Sequence, residues 1–184
     1  MGKSCTVNML RYLGYPVFDA DAIVAKLYAQ DKSFVEEVMI NFPDAAISGG
    51  GIDRSILAQK VFSDDMLRKC LEGLIHPRVW SASEQFTLKY RRLRTRLVFW
   101  DVPLLFQSRM QHSCEEIWVV SASEALQRRR ALRRKGWDMQ RLEAVRAIQV
   151  APAIQERMAD RLIVTSLGKA HTLRCLKRYI ANIM

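Results

Sequence analysis

The chain is poor in the residues that build metal centres and covalent frameworks. Its four cysteines, Cys5, Cys70, Cys114 and Cys175, lie far apart with no C-x-x-C pair, and its three histidines, His76, His112 and His171, have no ligand spacing. This argues against a zinc site or a disulfide framework and for free thiols in a reducing cytosol. Long apolar runs are lacking too. The longest, Leu97 to Phe106, is interrupted by Asp101, whereas a bilayer span needs roughly 20 apolar residues. No basic-plus-apolar leader opens the sequence, so the expectation is a cytoplasmic protein with no membrane partner. Internal repeats, low-complexity tracts and obvious linkers are missing. Acid is in deficit, with 19 Asp and Glu against 29 Lys and Arg, a net charge of +10 and a pI near 9.8. Such a field attracts anions, whether nucleotide, coenzyme or nucleic acid, without choosing among them. At 184 residues the chain can bury one good core and carry a second small lobe.

What is present is an alternation of short apolar runs with longer helical patterns, the signature of an α/β protein with a parallel sheet and crossover helices. Gly2-Lys3-Ser4 reads as the tail of a phosphate-binding loop, G-x-x-x-x-G-K-[ST], whose backbone N–H groups cradle phosphates while the Lys reaches the terminal ones and the hydroxyl binds Mg²⁺. Alone, G-K-S is a weak signal, and a polar terminus explains it as well. Val7, Leu10 and Leu13 follow at helical spacing with Gly14 as the C-cap, so a helix starts at the loop and turns its positive dipole end towards a bound anion. Val17-Phe18 is the first strand, and Asp19 and Asp21 sit just past its carboxyl end, where open α/β sheets bind ligands. Either acid also suits a helix N-cap; beside G-K-S, a catalytic role is favoured.

The string G-K-S-C-T-V-N-M-L-R-Y-L-G-Y-P-V-F-D-A-D-A-I-V-A closely resembles the opening of the dephospho-coenzyme A kinase family. Further segments in the same order carry the resemblance to the C-terminal region: D-R-S-I-L-A-Q-K-V-F from Asp53, Leu74-Ile75-His76-Pro77, Val102-Pro103-Leu104-Leu105-Phe106, Arg130 and Arg134 as R-x-x-x-R, Gln149, and Ala159-Asp160 before a last strand. The resemblance implies a three-layer P-loop kinase fold with a parallel sheet, a helical substrate-binding insertion over 23–95 and a basic lid over 124–150. It also implies that a strand and the head of the loop precede Gly2, so that Met1 is expected to be an internal residue of a longer loop. Three positions depart from the family pattern: Gln107 where an acid is usual, Val145 where an Arg is usual, and Thr165 where an Asn near the adenine is expected.

The implied reaction is phosphorylation of the ribose 3′-hydroxyl of dephospho-coenzyme A by ATP. By resemblance, Gly2, Lys3, Ser4, Cys5 and Arg130 bind the nucleotide, Ser4 holds Mg²⁺, and Arg130 and Arg134 close over the transferring phosphoryl group. Asp21 accepts the hydroxyl proton and Asp19 orients the substrate or the metal; His76, Pro77 and Pro103 line the coenzyme site. Other readings of single residues stand beside these. A His before Pro suits a helix-ending surface residue, with a second helix following as far as the basic stretch Lys89 to Arg96. Asp101, inside an apolar run expected to form one continuous strand, suits a buried partner of an Arg or an outer-shell group near Mg²⁺. Ile23 to about Phe42 reads as one helix. Competing functions are another P-loop kinase acting on a nucleotide or small metabolite, an inactive truncated homologue, and a basic nucleic-acid-binding protein. D-A-D followed by H-P and V-P-L-L-F weighs against the other kinase, and nucleic acid is not the expected partner.

Overall fold

The computed structural model describes residues 2–108, 110–133, 136, 138–139, 142–143 and 150–183. In chain order the elements are α1 (Lys3–Tyr12), β1 (Val17–Asp19), α2 (Ala20–Gln30), α3 (Lys32–Asn41), α4 (Arg54–Ser63), α5 (Asp65–Arg92), β2 (Phe99–Asp101), β3 (Trp118–Ser121), α6 (Glu124–Leu132), α7 (Pro152–Arg157), β4 (Arg161–Val164) and α8 (Lys169–Ala181). Hydrogen bonds join the strands in two pairs, β1 with β2 and β3 with β4. The second pair is parallel, in register from Trp118 opposite Arg161 to Ser121 opposite Val164.

The chain divides into two compact units, one formed by 1–17, 96–99 and 104–184 and the other by 18–95 and 100–103. In the first, α1 buries Thr6, Val7 and Leu10. Leu10 joins Ile163 of β4 and Leu176 and Ile180 of α8 in one core cluster, with Trp118 and Val120 of β3 packed against it. A chain of edge-on rings, Tyr15 to Phe99 to Trp118 to Tyr179, runs through that core with centroids 5.7, 5.2 and 5.8 Å apart. Such T-shaped contacts add to the area each ring buries. Gly14, at φ +87°, ends α1 as the spacing predicts: its N–H donates to the Arg11 carbonyl and that of Tyr15 to Leu10, which satisfies carbonyls that a helix end leaves open.

The second unit is helical. Leu27, Phe34, Val38, Phe42, Ala45 and Leu57 form its core, and Phe18 packs on Phe86 and Trp100. All four of its helices begin at an aspartate whose carboxylate accepts from first-turn N–H groups: Asp19 for α2, Asp31 for α3, Asp53 for α4 and Asp64 for α5. Asp31 is why the helix expected from Ile23 to Phe42 is two. Its side chain takes the Phe34 N–H at 2.9 Å and its backbone leaves helical geometry at φ −92°, ψ 95°. Two further expectations are corrected. The helix predicted to end at His76 runs unbroken through Pro77 to Arg92, because proline removes one backbone donor and Pro77 is exposed, while Arg78 Nη1 donates to the neighbouring Leu74 carbonyl at 2.9 Å. The run Leu97 to Phe106 is a strand only over Phe99–Asp101, none of whose residues is fully buried. After Val102 the backbone turns, with the Gln107 and Ser108 N–H groups both donating to the Leu104 carbonyl; Pro103 has no N–H with which to continue a ladder.

Candidate active site

The amino end of α1 has features that suit an anion. Gly2 occupies the N-cap in left-handed geometry, φ 105° and ψ 7°, with no side chain capping the helix and no acid in the first turn. The helix begins with the Thr6 N–H donating to the Gly2 carbonyl at 3.0 Å, reinforced by the Thr6 hydroxyl at 3.3 Å. Lys3, Ser4 and Cys5 therefore form the first turn, where backbone N–H groups and the positive end of the dipole favour phosphate. Glycine at position 2 is favoured on two counts. Its φ is disfavoured for L side chains, and a Cβ there would lie 3.0 Å from Thr165 Oγ1 and 3.1 Å from its Cγ2.

Thr165 follows β4 directly and is 6% exposed. Its N–H and its hydroxyl both donate to the Ser121 carbonyl at the end of β3, at 2.8 and 3.1 Å. The same hydroxyl accepts from Arg130 Nη1 at 3.0 Å, and the Thr165 carbonyl accepts from Nη2 at 3.3 Å. Gly2, Thr165 and Arg130 thus form one contact chain in the first unit. Sequence reading missed Thr165 as a partner of Arg130 and marked it only as a departure from a family pattern. The signal that finds it is positional, since it is the first residue beyond a strand paired in parallel with β3, and ligands gather at the carboxyl ends of such strands. Arg128 and Arg129, beside Arg130 on α6, are exposed. Arg134, Val145 and Gln149 lie outside the described residues.

The remaining candidates belong to the helical unit. Asp19 ends β1 and caps α2, accepting from the Ala22 N–H at 3.0 Å. Asp21 is exposed in the first turn of that helix. His76 is half-buried and Pro77 exposed in mid-α5, and Pro103 is exposed after β2, whereas Gln107, half-buried in the turn that follows, lies in the first unit. Beside Pro77, Arg78 pairs with Glu37 at 2.6 Å and Asp31 at 3.8 Å, and its guanidinium lies 5.3 Å from the centre of the Phe34 ring. Arg78 is a structural tie between α3 and α5. Hydrogen bonding from Arg78 in turn holds the Glu37 carboxyl below the usual range. Among the described residues, no three His, Cys, Asp or Glu side chains gather where they could hold a metal ion, and no helix is long and apolar enough to cross a membrane.

Comparison with known proteins gives one consistent answer. The family model described as dephospho-CoA kinase matches residues 1–170. The dephospho-CoA kinase of Paramagnetospirillum magneticum is 45% identical over 150 residues, 82% of this chain and 70% of that protein. That of Rhodospirillum rubrum is 36% identical, covering 96% of this chain and 84% of its own. Among solved structures, TT1252 from Thermus thermophilus superposes with a TM-score of 0.84 at 31% identity, covering 100% of this chain and 92% of that one. The dephospho-CoA kinase from Campylobacter jejuni, at a TM-score of 0.68 and 22% identity over 99% and 91% of the two chains, shares the fold. With a phosphate-loop helix, a parallel β3–β4 pair and these relatives, the protein has the α/β P-loop kinase fold, and the chain belongs to the dephospho-CoA kinase family.

Proposed function

We propose that this chain transfers the terminal phosphoryl group of ATP to the ribose 3′-hydroxyl of dephospho-coenzyme A, giving coenzyme A. Family membership supplies the reaction, and the observation that carries it to these residues is the uncapped amino end of α1 with Arg130 fixed beside Gly2 through Thr165. Phosphoryl transfer through a loose transition state asks little covalent chemistry of a protein and much alignment and charge neutralisation. In this reading the N–H groups of Lys3, Ser4 and Cys5 bind phosphate oxygens, the Lys3 ammonium follows charge onto the terminal phosphate, and Arg130 and Arg134 neutralise the transferring group.

The donor set fits Mg²⁺, which takes one or two protein oxygens and completes its shell with nucleotide phosphates and water. Ser4 offers an exposed hydroxyl in the first turn. Ser4 would hold the ion, which would supply positive charge to the nucleotide phosphates. Asp21 receives the proton of the attacking hydroxyl and Asp19 orients the acceptor; His76, Pro77 and Pro103 contact the coenzyme. An ionised Asp is a weak base, so its weight falls on positioning. Four free cysteines support a cytoplasmic setting.

The test is ATP consumption coupled to coenzyme A formation. Product with dephospho-coenzyme A and none with nucleosides or other small alcohols is expected. ATP turnover on another acceptor would replace the substrate assignment, and steeply salt-dependent binding to RNA without turnover would replace the reading altogether. Asp21→Asn is expected to lower kcat by about a hundredfold, the scale of the cost of misplacing a reacting group, with ATP affinity unchanged. A rate equal to wild type would remove Asp21 from its role.

A further inference from the structure

We propose that Thr165 is a positioning residue for the nucleotide: it holds the Arg130 guanidinium beside the phosphate loop before ATP arrives. The proposal rests on the kinase reading above only in taking the amino end of α1 as the triphosphate site. Three observations converge on this one side chain. Arg130 donates through Nη1 to the Thr165 hydroxyl at 3.0 Å and through Nη2 to its carbonyl at 3.3 Å, so two of the five guanidinium donors meet two oxygens of a single residue. The hydroxyl proton points to the Ser121 carbonyl at 3.1 Å, which turns a lone pair towards Arg130. The side chain lies flush on Gly2, where an added Cβ would meet Oγ1 at 3.0 Å, Cγ2 at 3.1 Å and Cβ at 3.2 Å.

The chemistry of the tether matters as much as its place. Arginine is a long side chain with many rotamers, and a guanidinium that must find phosphate from solvent gives up that freedom on binding. Fixing it beforehand moves the loss to folding, which is what preorganisation means for affinity. Hydroxyl and carbonyl oxygens do this without cancelling the positive charge, whereas a carboxylate in the same place would compete with the phosphates it is meant to attract. The tether has a firm base because the Thr165 N–H also donates to Ser121 at 2.8 Å, a backbone bond that survives substitution of the side chain.

The experiment is calorimetric titration of the full chain with a non-hydrolysable ATP analogue, using Thr165→Val, Thr165→Ser, Arg130→Ala and the Thr165→Val/Arg130→Ala pair, with a thermal melt of each. Valine keeps the shape and loses the hydroxyl; serine keeps the hydroxyl. The expected result is about a tenfold loss of affinity in Thr165→Val, recovery to within about twofold in Thr165→Ser, and no further loss when Thr165→Val is added to Arg130→Ala. In kinetics the KM for ATP rises and the KM for dephospho-coenzyme A does not. Wild-type affinity in Thr165→Val, or a full additional loss on the Arg130→Ala background, overturns the tether. Equal losses in the Val and Ser variants that follow their melting temperatures do the same. Should the Val variant melt below the assay temperature, Thr165→Ala carries the same expectations. If the wild type binds the analogue but does not phosphorylate dephospho-coenzyme A, the acceptor assignment fails and the tether is still decided by the titration. If it does not bind the analogue, both fall.

Discussion

Glu116 accepts from the Trp118 indole N–H at 2.9 Å and from Arg161 Nη2 at 3.1 Å, joining β3 to β4 through side chains as well as backbone. These contacts, the indole bond first and Arg161 after it, hold its carboxyl below the usual glutamate range. A carboxyl more acidic in the folded than in the unfolded chain adds stability that is present above the unfolded pKa, about 4.3, and is lost as pH falls through the lower folded value. Chemical denaturation between about pH 5 and 3 is therefore expected to show a smaller loss of stability in Glu116→Gln than in wild type; identical slopes would mean that the pair contributes nothing. The residue scale is also where sequence reading is blindest. Gly2 is legible as part of a motif, but its contact with Thr165 is not. Thr165 lies 35 residues from Arg130 along the chain, and no local pattern ties two such positions together.

At the scale of elements, α5 shows what a local rule misses. A proline disfavours helix in the residue before it and removes one backbone bond, so the sequence reads as two helices meeting at His76. The structure has one helix of 28 residues, because packing along its length outweighs one missing bond where Gly73 and Pro77 both face solvent. Leu67, Cys70, Leu71, Leu74 and Ile75, the face legible in the sequence, do pack against the helical core. Pro77→Ala is expected to stabilise the protein by about 2–2.5 kcal/mol, the interior proline penalty of about 3 less the roughly 0.4–1 of entropy that proline removes from the unfolded chain. If Pro77 contacts the coenzyme as proposed, the same variant raises the KM for dephospho-coenzyme A. A lower melting temperature would show that the ring packs better than alanine can. A helix start, by contrast, has a local mechanism: an Asp before an apolar helical pattern, as at Asp53, accepts from first-turn N–H groups.

For the whole molecule the governing quantity is charge. The sum of 29 basic and 19 acidic residues gives +10, and both substrates of the proposed reaction are anions. Long-range attraction of that kind is screened within about 10 Å at 0.1 M salt, so KM for ATP and for dephospho-coenzyme A should both rise as ionic strength goes from about 0.05 to 0.5 M, with kcat nearly constant. A KM indifferent to salt would assign binding to short-range contacts alone. Fold class and family were legible because ordered motifs extend over most of the chain; composition could say only that anions are welcome.

The register of β3 on β4 has one more effect. Since β3 and β4 are held in one parallel ladder, from Trp118 opposite Arg161 to Ser121 opposite Val164, the stretch that joins the end of β3 to the start of β4 is anchored at both feet. Polymer statistics make such a stretch cheap to lengthen, at about 0.6 kcal/mol for a doubling. A version of that stretch lengthened by a few residues should leave the melting temperature within a few degrees while changing how nucleotide is held.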